Sequence, residues 1–66
     1  MPKISEEKKK QRQMDILKTA LGLFSKKGYY ATSIDDITRE AGISKGLVYN
    51  YFKSKEEIFF ELEIGR

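Results

Sequence analysis

The sequence contains no cysteine, no histidine and no tryptophan, and a single proline among its 66 residues. Without cysteine no disulfide can staple a small fold, and without cysteine or histidine no thiolate or imidazole can hold a structural zinc. The same absences exclude a cysteine or histidine nucleophile and an imidazole general base, so an enzyme is not expected, nor is a cofactor. Long apolar runs are missing too. Nothing approaches the ~18 apolar residues of a membrane span, and the N-terminal residues lack the apolar centre of a secretory signal. A soluble, cytoplasmic chain with no membrane partner is expected. With 39% hydrophobic and 35% charged residues, there is material for one small core, and its stability has to come from helix packing.

The formal net charge of +3 is unevenly spread. Residues 1–27 carry +5, residues 28–53 balance, and residues 54–66 carry −2. A basic front suits a polyanion such as nucleic acid, whereas an acidic rear repels one. A basic segment serving only solubility is the plain alternative.

Residues 1–11 are polar, with Pro2 near the start, and read as a flexible basic arm. From Arg12 onward Met14, Leu17, Ala20, Leu21 and Phe24 recur at three- and four-residue steps, with Ile16 and Leu23 widening the stripe. This is the pattern of an amphipathic helix over about 8–27, closed by Lys26, Lys27 and Gly28. Ser33-Ile34-Asp35-Asp36 then resembles a capping box opening a helix over 34–41, which Gly42 closes. Ser44 caps a further helix over 45–52, with Val48 and Phe52 on its inner face. Two short helices joined by a glycine-containing turn outline a helix-turn-helix. Ser54-Lys55-Glu56-Glu57 is a third capping box and starts a helix over 55–66. The expected class is all-α.

The segment Ser44 to Lys53 carries the most chemistry. Lys45, Leu47, Tyr49 and Asn50 turn outward or to the flanks of a very short helix. An amide can pair with adenine, a lysine with guanine, and a phenol with phosphate. Gly46 costs up to ~1 kcal/mol of helix propensity, which close backbone approach to a partner would offset. The bland readings are that a tyrosine ring packs on the core edge and that Gly46 relieves crowding between helices. Thr32 and Ser33, at the start of the second helix, offer hydroxyls and free amides to a phosphate, with simple capping as the alternative for Ser33. Lys55 opposes the local helix dipole, which also suggests a phosphate partner.

Taken together, Arg12, Ile16-Leu17, Ala20, Leu23-Phe24, Gly28, Thr32, Ile37, Ala41 to Gly46, Tyr49, Tyr51-Phe52 and Lys55-Glu56 resemble the DNA-binding domain of TetR-family transcriptional repressors. The match runs over about 12–62, and AGISKGLVYNYFKSKEEIF is its most specific part. The resemblance implies a three-helix DNA-binding head plus the start of a fourth helix. It also implies a recognition helix near 44–51, a palindromic double-stranded operator and a homodimer. By position, Lys45, Gly46, Leu47 and Asn50 would face bases or the groove. Thr32, Ser33, Ser44, Tyr49, Tyr51 and Lys55 would hold phosphates. The implied organisation is an arm over 1–11, the helix-turn-helix domain over 12–53, and a linker helix from 54 to 66. That helix would lead to an absent C-terminal domain for dimerisation and a small-molecule effector. Thr38 departs from the family's usual alanine, and its hydroxyl is expected to bond back to the Ile34 carbonyl. Leu47 replaces a small or polar residue and suggests contact with a thymine methyl. Val48 for leucine is a packing change.

The last helix has apolar residues on two sides, Ile58 and Leu62 on one and Phe60 and Ile64 nearly opposite, which suggests that the chain continues natively. A second function class is a small helical protein-interaction module using the tyrosine-rich face and the Phe60 and Ile64 patch. A membrane-surface helix over 1–24 is a third. Salt separates the first two, since phosphate-driven binding weakens steeply with salt and an apolar interface does not.

Overall fold

Four helices follow one another in the computed structural model, which describes the backbone of residues 2–64 and the side chains of residues 8–63. They are α1 (Pro2–Lys27), α2 (Ile34–Ala41), α3 (Lys45–Tyr51) and α4 (Lys55–Ile64), with no strand among the described residues. The all-α expectation holds. The start of α1 does not match the expected arm, because helical backbone already begins at Pro2. Proline is compatible with a first helical turn, and the Glu, Lys, Gln and Arg run that follows consists of good helix formers, so nothing local interrupts the helix.

Each helix end has a local cause. Gly28 and Gly42 take φ of 94° and 73°, the left-handed conformation that lets their amides close back on Phe24 and Thr38. Ser33 caps α2 in a full capping box: its hydroxyl oxygen accepts from the Asp36 amide, and the Asp36 carboxylate accepts from the Ser33 amide. Ser44 caps α3 by accepting from the Leu47 amide. At α4 the box is displaced by one residue. Ser54 accepts from the Glu57 amide, but the Glu57 carboxylate accepts from Lys53 rather than from Ser54. The Thr38 hydroxyl donates to the Asp35 carbonyl at 2.9 Å, three residues back, instead of to Ile34.

α1 packs on α2 and α4, and α2 packs on α3. The core where they meet consists of Ile16, Ala20, Ile37, Val48, Phe52 and Ile58, flanked by Leu17, Leu23, Phe24, Ile34, Ile43, Tyr51 and Leu62. Full burial of an isoleucine, valine or phenylalanine side chain stabilises by roughly 1.5–3 kcal/mol. The inward face of α1 therefore centres on Ile16 and Ala20. Met14 and Leu21, placed in the stripe by their spacing, are 53% and 51% exposed. Phe52 ends α3 in an extended conformation, which turns its ring into the core and releases the chain toward α4.

Candidate nucleic-acid interface

α3 is held from behind and open in front. Val48 and Phe52 are buried against Ile37 and the rest of the core, which fixes how the helix is presented. On its outer side Ser44, Lys45, Gly46, Tyr49 and Asn50 are exposed, and Leu47 is half-buried. A methyl group built on Gly46 would meet nothing within 4 Å, so crowding between helices does not explain the glycine. The two tyrosines differ. Tyr49 is 42% exposed, whereas Tyr51 is half-buried and packs on the core edge.

Two of the expected phosphate contacts are occupied inside the protein. Thr32 is 1% exposed, and its hydroxyl donates to the Gly28 carbonyl at 2.8 Å, so the expectation of a phosphate contact from this side chain is corrected. The loop between α1 and α2 is short and must bury something at its base. A threonine whose hydroxyl closes back on the glycine carbonyl does so without an orphaned polar atom. Lys55 donates to the Tyr29 carbonyl at 2.9 Å and to the Thr32 carbonyl at 2.8 Å, and its ammonium lies 4.4 Å from the Tyr29 ring centre. An ammonium has three N–H donors. Two of these tie α4 to the loop before α2, and the dipole misfit noted in the sequence is offset from within. Ser33 remains exposed at the start of α2, its oxygen already accepting the Asp36 amide.

Charge around the turn is also paired. Asp36 lies 2.9 Å from Lys27 and 3.7 Å from Arg39, and Asp35 lies 2.7 Å from Lys45. The Lys27 hydrogen bond, with the Ser33 amide, holds the Asp36 carboxyl well down, at about 2. The hydrogen bond to Asp35 raises the Lys45 ammonium above its ordinary value. Sequence reasoning missed these partners. Asp35 and Lys45 are ten residues apart, and only the angle between α2 and α3 reveals that they meet.

A second cluster lies away from α3. Phe24, Tyr29, Tyr30 and Phe59 stack with ring centres 5.0–6.0 Å apart in successive pairs. Tyr29, Tyr30, Phe59 and Phe60, with Glu56 and Glu63, line an open groove in which Tyr30 is 93% and Phe60 63% exposed. The side chain of Ile64, expected to share this unpartnered face, lies outside the described residues. Burial next to Glu56 raises the Tyr29 phenol above its ordinary value. Among the described residues no helix is long and apolar enough to cross a membrane.

Residues 16–62 match the family described as bacterial regulatory proteins, tetR family. The uncharacterized HTH-type transcriptional regulator YfiR of Bacillus subtilis strain 168 is 45% identical over 58 residues, covering 88% of this chain and 28% of the relative. The HTH-type transcriptional regulator HbdR of Aromatoleum sp. strain CIB is 48% identical over 59 residues, covering 89% of this chain and 24% of the relative. The biofilm operon icaADBC HTH-type negative transcriptional regulator IcaR of Staphylococcus epidermidis is 43% identical over 44 residues, covering 67% of this chain and 24% of the relative. The chain thus spans about a quarter of the length of these curated relatives.

Proposed function

Because this chain belongs to the tetR family of bacterial regulatory proteins, we propose that it is the DNA-reading head of a transcriptional repressor and has no catalytic role. The observation that carries the reading is α3 itself, a seven-residue helix anchored by Val48 and Phe52, whose outer side offers Lys45, Gly46, Leu47 and Asn50. Such a helix enters the major groove, with its N-terminal residues toward base edges. Asn50 suits adenine, Lys45 suits guanine, and Leu47 suits a thymine methyl. Gly46 has an open surface in front of it and allows the backbone to come close. Ser33, Ser44 and Tyr49 hold phosphates from the flanks, and the Tyr51 hydroxyl assists from a ring seated on the core.

Repression is supported by the similarity to IcaR, which is named a negative transcriptional regulator. We further propose homodimerisation, a palindromic operator and control by a small-molecule effector, for a chain that spans about a quarter of the length of its curated relatives. In a dimer the two heads would read half-sites about one helical turn, or a multiple of it, apart. The interaction-module alternative would use the aromatic groove, and relatives named as transcriptional regulators do not favour it.

The test is a comparison of duplexes. Asn50→Ala should relax preference at one base pair, at a cost of about 1–3 kcal/mol on the preferred duplex, while Tyr49→Phe should weaken preferred and scrambled duplexes alike. Equal effects of both variants on both duplexes would remove the assignment. Binding that ignores salt would favour the interaction module.

A further inference from the structure

We propose that Asp35 is a specificity-determining residue, which works by occupying Lys45 so that the head gains little from the phosphates of an arbitrary duplex. The inference rests on the DNA-reading function proposed above. Asp35 lies in the first turn of α2 and Lys45 opens α3, and their charged atoms meet at 2.7 Å across the turn between the two helices. Both side chains are more than half exposed, so the pair does not serve the core. Exposed pairs of this kind contribute little to stability. They strongly affect what the surrounding surface offers to another charge.

Non-specific binding to DNA consists of cations neutralising phosphates, whatever the sequence. Around the start of α2 that supply is held back. Lys27 and Arg39 face Asp36, and Lys45 faces Asp35. The first turn of α2 would otherwise attract phosphate through its free amides, but it carries these two carboxylates. Lys45 gains by leaving Asp35 only where an acceptor lies within its reach and in register with α3. A scrambled duplex offers Lys45 only phosphates, for which leaving Asp35 exchanges one anion for another with little gain. Discrimination then comes from penalising the wrong sequence as well as rewarding the right one.

The experiment uses the full chain and two duplexes, one enriched from a random-sequence pool by the wild-type protein and one of scrambled sequence, titrated across a salt series. Asp35→Asn should tighten binding to the scrambled duplex by about three- to tenfold and steepen its salt slope by about 0.9, one additional cation's worth. Binding to the enriched duplex should tighten less, so the ratio between the two falls. Adding Lys45→Gln to Asp35→Asn should abolish the gain. An Asp35→Asn variant that melts like the wild type yet weakens on both duplexes, or leaves the scrambled one unchanged, overturns the proposal. So does a gain that survives without Lys45. A wild-type chain that enriches no duplex overturns the DNA-reading function itself, and the role of Asp35 with it.

Discussion

Lys55 distinguishes a folding role from a DNA-contact role by measurement. In the structure its ammonium donates to two loop carbonyls, at 2.9 and 2.8 Å, and lies 4.4 Å from the Tyr29 ring centre. Lys55→Met keeps most of the apolar stem and removes the charge. The Tyr29 carbonyl keeps a second donor, the Thr32 amide at 3.2 Å, so the Thr32 carbonyl is the group that suffers most. A hydrogen bond to a charged group contributes about 1.5–3 kcal/mol, and an exposed cation over a ring roughly 0.5–1 kcal/mol. Partial burial and replacement by water reduce the sum to about 2 kcal/mol. For a domain this small, whose total stability is roughly 3–5 kcal/mol, that is a large share. The expected loss in melting temperature, followed by circular dichroism, is about 8–16 °C. Under conditions where the variant is folded, its salt slope for DNA should match the wild type. A melting temperature within about 2 °C of the wild type, with a salt slope flatter by about 0.9, would show that the ammonium serves phosphates and that the reasoning is wrong.

Thr32→Val should cost about 1–2 kcal/mol by leaving the Gly28 carbonyl without its buried donor, lowering the urea midpoint at an unchanged m-value. Asp36 titrates at about 2 in the fold against an ordinary 3.8, so its stabilising contribution is complete above about pH 4 and is lost as pH falls toward 2. Asp36→Asn should therefore be less stable than wild type at neutral pH, and urea midpoints taken at decreasing pH should show the gap closing between pH 4 and 2. Gly46→Ala meets open space at an ordinary φ, so it should stabilise the head by up to about 1 kcal/mol while weakening DNA binding. A stabilised variant that binds as well as wild type would remove the close-approach role.

The fold was legible wherever a signal was local. Ser33, Gly42 and Ser44 announce the ends of α2 and α3, because a cap is a matter of three or four neighbouring residues. The spacing of Val48 and Phe52 announces the inner side of α3. On α1 the spacing puts Met14 and Leu21 within the stripe and Ile16 and Leu23 at its edge, whereas Ile16 is fully buried and Met14 and Leu21 are half exposed. Only the angle at which α2 and α4 arrive decides between them. The candidate site divides along the same line. The outward residues of α3 follow from helix geometry alone, whereas Thr32 and Lys55 turned inward to meet carbonyls on a loop. Lys55 and the Tyr29 carbonyl are 26 residues apart, and no periodicity relates them.

Ile58 is fully buried in the same core that seats Val48 and Phe52. The last described helix is therefore no tether from which the head swings freely, but one wall of the head. A tilt applied at the far end of α4, about 15 Å from its start at 1.5 Å per residue, cannot be absorbed between the helices without opening the core. With Ile58 in the core shared by α1, α2 and α3, and with α4 packed on α1, the four helices form one block. For the DNA-reading role proposed above, a small displacement at that end would shift the outward side chains of α3 together rather than blur their positions.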